Sequence, residues 1–144
     1  MDDKIVHIGK GKDTLIKVPK APIYLTDEAK KHYKSMGNLL ATNELLKSKF
    51  LPALEVYAEA MAQWEFSLSE IKKANKEKIG SGYFQKFASG ASNVSVYVTL
   101  KDKAEDSILK CCKIFGLDPR SEKDLKVEIG QYDLFTEMMK QKSS

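Results

Sequence analysis

The sequence predicts a mainly α-helical fold centred on a hairpin of two long, heptad-patterned helices. The first supporting feature is the run Phe50, Leu54, Tyr57, Met61, Trp64, Leu68 and Ile71, whose steps alternate between four and three residues. A matching run follows at Val94, Tyr97, Lys101, Ala104, Ile108, Cys111 and Phe115. Apolar positions recurring at this spacing line one helix face, and a seam held in heptad register calls for a second helix to cover it. The third feature is Phe115-Gly116-Leu117-Asp118-Pro119. There a Gly ends one helix, an Asp caps the next, and a Pro takes its first position, where a missing N–H is harmless.

The elements follow in chain order. Residues 1–22 carry Lys4, Lys10, Lys12, Lys17 and Lys20 among Gly9, Gly11, Pro19 and Pro22, and read as a basic flexible arm outside the core. A helical domain is expected over residues 23–127. Thr26 caps its first helix, with Asp27 and Glu28 in the first turn and Ala29, Tyr33, Met36 and Leu40 on one face. Gly37 is a weak point in that helix, which ends near Asn43. Residues 44–48 form a short connection. Ser48 is expected to cap the second helix, with Pro52 tolerated in its first turn. Gly80, Gly82 and Gly90 then bracket Tyr83, Phe84 and Phe87, which fits a short β-hairpin or an ordered loop. Asn93 is expected to cap the third helix, from about 94 to 115, and a short C-terminal helix runs from Pro119 to about Val127. The tail, residues 128–144, presents Leu134, Phe135, Met138 and Met139 on one apolar face, a pattern suited to a partner's groove.

Composition narrows the function classes. A chain of 144 residues is one domain with a modest core, and 42% hydrophobic with 31% charged residues fits a charge-rich helical protein. An apolar run of membrane-spanning length is lacking, as is a charged-then-apolar leader, so neither membrane insertion nor export is expected. Cys111 and Cys112 are adjacent, so they make no disulfide framework, and no zinc-ligand spacing surrounds them. They read as small buried residues of a protein from a reducing cytoplasm. The net charge of +4 permits nucleic-acid binding without requiring it.

Catalytic constellations do not assemble. His7-Ile8-Gly9-Lys10-Gly11-Lys12 lacks the earlier Gly and the following Ser/Thr of a phosphate loop. Asp102, Glu105 and Asp106 interleave with Lys101, Lys103 and Lys110, which suits a solvated or inter-subunit face. His7 and His32 have no nucleophile partner. The expectation is a protein that is not an enzyme and takes no cofactor and no metal. Trp64 and Tyr57 could stack on bases, but their place in the seam assigns them to core or oligomer packing. Lys30, Lys31 and Lys34 on the first helix, with Lys10, Lys12, Lys17 and Lys20 of the arm, are the DNA-binding candidates; such lysines contact phosphates without reading sequence. Lys72, Lys73, Lys76 and Lys78 form a second basic cluster.

The order of several short signals resembles the small terminase subunits of tailed phages and prophages. These are Ala21-Pro22 and Leu25 before the first helix, then Leu51-Pro52-Ala53-Leu54-Glu55-x-Tyr57-Ala58-Glu59-Ala60 leading to Trp64. A Gly-rich turn, Asn93, and Phe115-Gly-Leu-Asp-Pro-x-Ser121 complete the set, which spans roughly residues 21–127. Asn93-Val94 stands where the family usually has Asn-Pro, and Phe50 where it often has Asp. The resemblance implies a non-catalytic factor that binds double-stranded viral DNA at the packaging start site. It further implies a closed homo-oligomeric ring that brings in the large terminase subunit, the ATPase–nuclease, in the host cell cytoplasm. Two other classes fit the residues: a helix-turn-helix transcription regulator using the first two helices, and a structural assembly protein with no DNA role.

Overall fold

The computed structural model describes residues 13–117 and Met138. Three helices dominate: α1 (Asp27–Thr42), α2 (Leu51–Glu77) and α3 (Val96–Ile114), with a two-stranded antiparallel hairpin, β1 (Phe84–Lys86) and β2 (Ser92–Val94), between α2 and α3. The fold is therefore mainly α with a short β insert. The short C-terminal helix expected after Pro119 lies outside the described residues.

α2 is the shared wall. α1 packs on its first half, and α3 runs back along it, so the two seams cover each other. Leu54, Tyr57 and Met61 meet Ile108, Cys111, Cys112 and Phe115 in one cluster, joined by Tyr33, Met36 and Leu40 from α1. Phe115 stacks against both Phe50 and Tyr57, with ring centroids 6.0 and 6.1 Å apart. The seam slips in the second half of α2. Ser67 is fully buried while Leu68 is exposed, because a straight helix of 3.6 residues per turn drifts off a 3.5-residue repeat. The Ser67 hydroxyl donates to Gln63 O of its own helix (2.8 Å), so it is buried with its hydrogen bond made.

The helix ends show which sequence signals hold. Thr26 caps α1 as expected, accepting from Ala29 N–H (3.2 Å). Ser48 does not cap α2; residues Ser48–Phe50 form a 3₁₀ turn that runs directly into it. Asn93 does not cap α3. It lies in β2, and Ser95 is the cap, accepting from Tyr97 N–H (3.1 Å). Val94 accordingly belongs to a strand rather than to the α3 seam. At the far end, Leu117 N–H donates to Cys112 O (2.9 Å) and Gly116 N–H to Lys113 O (3.0 Å), with Gly116 at φ 79°. This paired closure needs the left-handed conformation that Gly enters without steric penalty, and it is what the sequence predicts there.

The arm differs most from its expectation. Its described part belongs to the core: Leu15 is fully buried, its N–H donates to Leu46 O (2.8 Å), and Thr14 bridges Lys47. Val18 seats directly on Gly37, where an added Cβ would lie 2.3 Å from Val18 Cγ2. Gly37 is thus less a weak point of α1 than the place where the arm comes closest to it.

Candidate nucleic-acid interface

A row of carboxylates on α2 pins α1 in place. Tyr24 OH donates to Glu55 Oε1, and His32 Nε2 meets Glu65 Oε1. Glu59 accepts from Thr26 N–H (2.9 Å) and from its hydroxyl (3.3 Å). The charge on Glu55 is felt nearby. It raises the Tyr24 phenol through the hydrogen bond, and it adds to burial in pushing Tyr33 up to about 12. Residues 55, 59 and 65 thus direct negative charge at the inward side and N-terminal end of α1.

The outward side of α1 is left to lysines. Lys31 and Lys34 are exposed and Lys30 is half-buried. Lys31 pairs with Glu28 (3.2 Å), a solvated i,i+3 pair of small energetic weight. Lys30 and Lys34 enter no ion pair among the described residues. Positions 30, 34 and 37 lie along one flank of the helix, and Val18 sits on Gly37. The arm's Lys17 and Lys20, on either side of Val18, are both exposed. Lys10 and Lys12 lie outside the described residues.

Sequence reasoning missed Lys47 and Lys49. Their ammonium groups stand 5.7 and 5.9 Å from the centroid of the Phe50 ring, a cation–π arrangement beside the docked arm. The available signal was a Lys-Ser-Lys-Phe run at the entrance of a helix. The second basic cluster, Lys72, Lys73, Lys76 and Lys78, is exposed at the other end of α2, well away from α1. Among the described residues only Lys73 of these has an ion pair, with Glu70 at 3.4 Å.

The remaining candidates divide between core and surface. In the α2 seam, Leu54, Tyr57, Met61 and Ile71 are buried, Phe50 and Trp64 are half-buried, and Leu68 is exposed. Of the two readings of this seam, core and oligomer packing, α3 and α1 of the same chain supply the first by covering most of it. Trp64 turns its indole N–H onto Glu105 Oε2 (2.9 Å), where Lys101 also reaches (3.0 Å). Cys111 and Cys112 are buried, and burial pushes the Cys111 thiol up. Of the tail set, Met138 is buried in the same core and accepts from Tyr57 OH (3.2 Å). Its side chain packs inside the subunit. Leu134, Phe135 and Met139 lie outside the described residues. Among the described residues, no group of three His, Cys, Asp or Glu side chains could hold a metal ion, and no helix is long and apolar enough to cross a membrane.

A lysine flank on a helical hairpin leaves several classes of protein open. The decision comes from the family model for phage terminase, small subunit, which matches residues 29–131. The chain belongs to that family. No curated protein and no solved structure matches it. The small-terminase match begins inside α1 and takes in α2, the β-hairpin and α3. The docked arm and Met138 fall outside it. Membership supports a role in phage DNA packaging. The 27-residue α2, covered on two sides, is the central wall of this small terminase subunit and not a projecting recognition helix.

Proposed function

We propose that this chain is the non-catalytic small terminase subunit that binds double-stranded viral DNA at the packaging start site and recruits the large ATPase–nuclease subunit. It acts as a homo-oligomeric ring in the host cytoplasm. The family match over residues 29–131 carries the reading. The lysine flank of α1 supports a DNA contact. Lys30 and Lys34 on α1, with Lys17 and Lys20 of the arm, present cations that meet phosphates rather than base edges. Lys47 and Lys49 extend the same basic border. Binding of this kind releases condensed counterions, so affinity falls steeply as salt rises.

Fluorescence anisotropy with a labelled duplex tests the DNA site. Replacing Lys30, Lys31 and Lys34 together by Ala should weaken binding to all sequences alike and flatten the dependence of affinity on salt. An unchanged salt slope would move the site to Lys72–Lys78. Recruitment of the large subunit falls to the rest of the tail set, Leu134, Phe135 and Met139, because Met138 is held by Tyr57. Serine at those three positions should reduce large-subunit capture while leaving the melting temperature unchanged, and undiminished capture would remove the tail from the role.

A further inference from the structure

We propose that the β-hairpin end of one copy docks, head to tail, in the groove beside Tyr24 of a second copy. This rests on the reading of the chain as an assembling subunit and adds which two faces meet.

The hairpin end is apolar at its centre and basic at its rim. Phe84 is 61% exposed and Val96 59%, with Tyr83, Phe87 and Val94 also open to solvent. Gly82 N–H on Asn75 Oδ1 (2.8 Å) and Val96 N–H on Gln85 Oε1 (3.1 Å) anchor the hairpin to its helices, yet β2 is exposed at every position. Between residues 70 and 95 the charges are Lys72, Lys73, Lys76, Lys78 and Lys86 against Glu70 and Glu77. A contiguous apolar patch with a polar rim is the anatomy of a protein interface, and an aromatic anchor entering a pocket is its usual energetic centre.

The groove has the complementary character. It holds about 400 Å³ and is lined by Tyr24, Leu25, Glu55, Val56, Glu59 and Gln63. Tyr24 and Val56 are exposed apolar surface within it, and the only charges among the lining residues are the two carboxylates. Glu55 accepts one hydrogen bond from Tyr24, and Glu59 accepts two from Thr26. An ionised carboxylate has about four lone-pair sites, so both retain capacity for a lysine. An aromatic ring of the hairpin fits the apolar floor, and the lysines around it meet the two glutamates.

A single copy cannot make this contact with itself. Glu59 and Lys76 lie on one unbroken helix, and the residues between them span about 25 Å along its axis. The occupant is therefore another copy. Because the two faces differ, each copy keeps one of each open, and the contact repeats until it closes into a ring or runs on as a filament.

Native mass spectrometry of the full chain, free of DNA, tests this. Val56→Arg blocks the groove and Phe84→Asp with Phe87→Asp blocks the hairpin; each variant alone should be monomeric where the wild type is a large oligomer. Mixed in equal amounts, they should form a one-to-one dimer and stop there, because one intact groove meets one intact hairpin. Should the aspartates disturb the hairpin, seen as a lowered melting temperature, Lys72→Glu with Lys76→Glu replaces them in the same mixture. Variants that assemble like the wild type, or a mixture that stays monomeric, overturn the proposal while leaving ring assembly standing. A hairpin variant that keeps its mass but loses duplex affinity overturns it in favour of DNA at this end. A monomeric wild type overturns both the docking and the assembly reading.

Discussion

The first half of α2 and its second half are one continuous helix in two different surroundings. Between Leu54 and Met61 it is walled by α1 on one side and α3 on the other, and Leu54, Tyr57, Ala58 and Met61 are nearly inaccessible. Beyond the His32–Glu65 contact it has α3 and a hairpin of three-residue strands for company among the described residues, and Phe66 is about half exposed. Helical periodicity continues through both halves, yet its burial does not. What decides burial is how many layers reach the helix, because an apolar stripe gains only from the area that something else covers. The first half holds the subunit together. The second leaves apolar area uncovered.

The largest expected effect breaks the symmetry of the helix directly. Leu54→Ala, at a fully buried position, should lower unfolding free energy by about 2–5 kcal/mol through lost transfer energy and a residual cavity. Phe84→Ser, a comparable truncation at the exposed end, should change it by no more than about 0.5 kcal/mol. Urea denaturation of the two variants under conditions that keep the chain monomeric measures the contrast. A loss at Phe84 as large as that at Leu54 would mean that the hairpin belongs to the cooperative core.

A smaller effect sharpens what makes the first half a three-layer structure. Gly37→Ala would gain about 1 kcal/mol from helix propensity alone. Its Cβ, however, would lie 2.3 Å from Val18 Cγ2 and 2.8 Å from Val18 Cβ, so the arm has to move away. The net change should be a destabilisation of roughly 1–2 kcal/mol, since overpacking a filled site usually outweighs propensity. Hydrogen exchange locates it: the Leu15 amide, bonded to Leu46 O, should lose protection, while the Ser95 amide, bonded to Tyr83 O, keeps it. A variant more stable than wild type would show that Val18 yields easily.

The parts legible in the sequence were those fixed by local chemistry. Thr26, Gly116 and the heptad spacing each act within a few residues, and each delivered the element it predicted. Ser48 and Asn93 failed because two residue types that cap helices also serve turns and strand ends, and the choice depended on neighbours. Ser95, only two residues beyond Asn93, was the better-placed hydroxyl. The docking of the arm is hidden in the sequence for a different reason. Its Gly, Pro and Lys content hides Leu15, whose burial depends on a bridge to residues 46 and 47. Likewise the amphipathic pattern around Met138 fits its own core as well as a partner's groove. For the candidate interface, the lysines of α1 were visible as residue types. Their neighbours Lys47 and Lys49 depend on how the chain turns before α2.

The smallest expected effect falls at the border of the two halves. Trp64 donates its indole N–H to Glu105, and Lys101 holds the same carboxylate. The Trp64 bond is the largest cause of a Glu105 carboxyl held below its ordinary value, with Lys101 contributing after it against a burial that pushes the other way. A carboxyl lowered on folding contributes stability that is complete above its unfolded value and is lost as the pH falls through the folded one. Trp64→Phe removes the donor while keeping an aromatic ring in the seam. Glu105 should then titrate closer to an ordinary glutamate, and the variant should lose less stability than wild type between neutral pH and acid. Carboxyl chemical shifts followed by NMR across that range measure the first effect, and melts at the two ends measure the second. Lys101→Met should move Glu105 in the same direction. A Glu105 titration unchanged by Trp64→Phe would mean that the indole N–H is not what ties α2 to α3 where the core gives way to the open end.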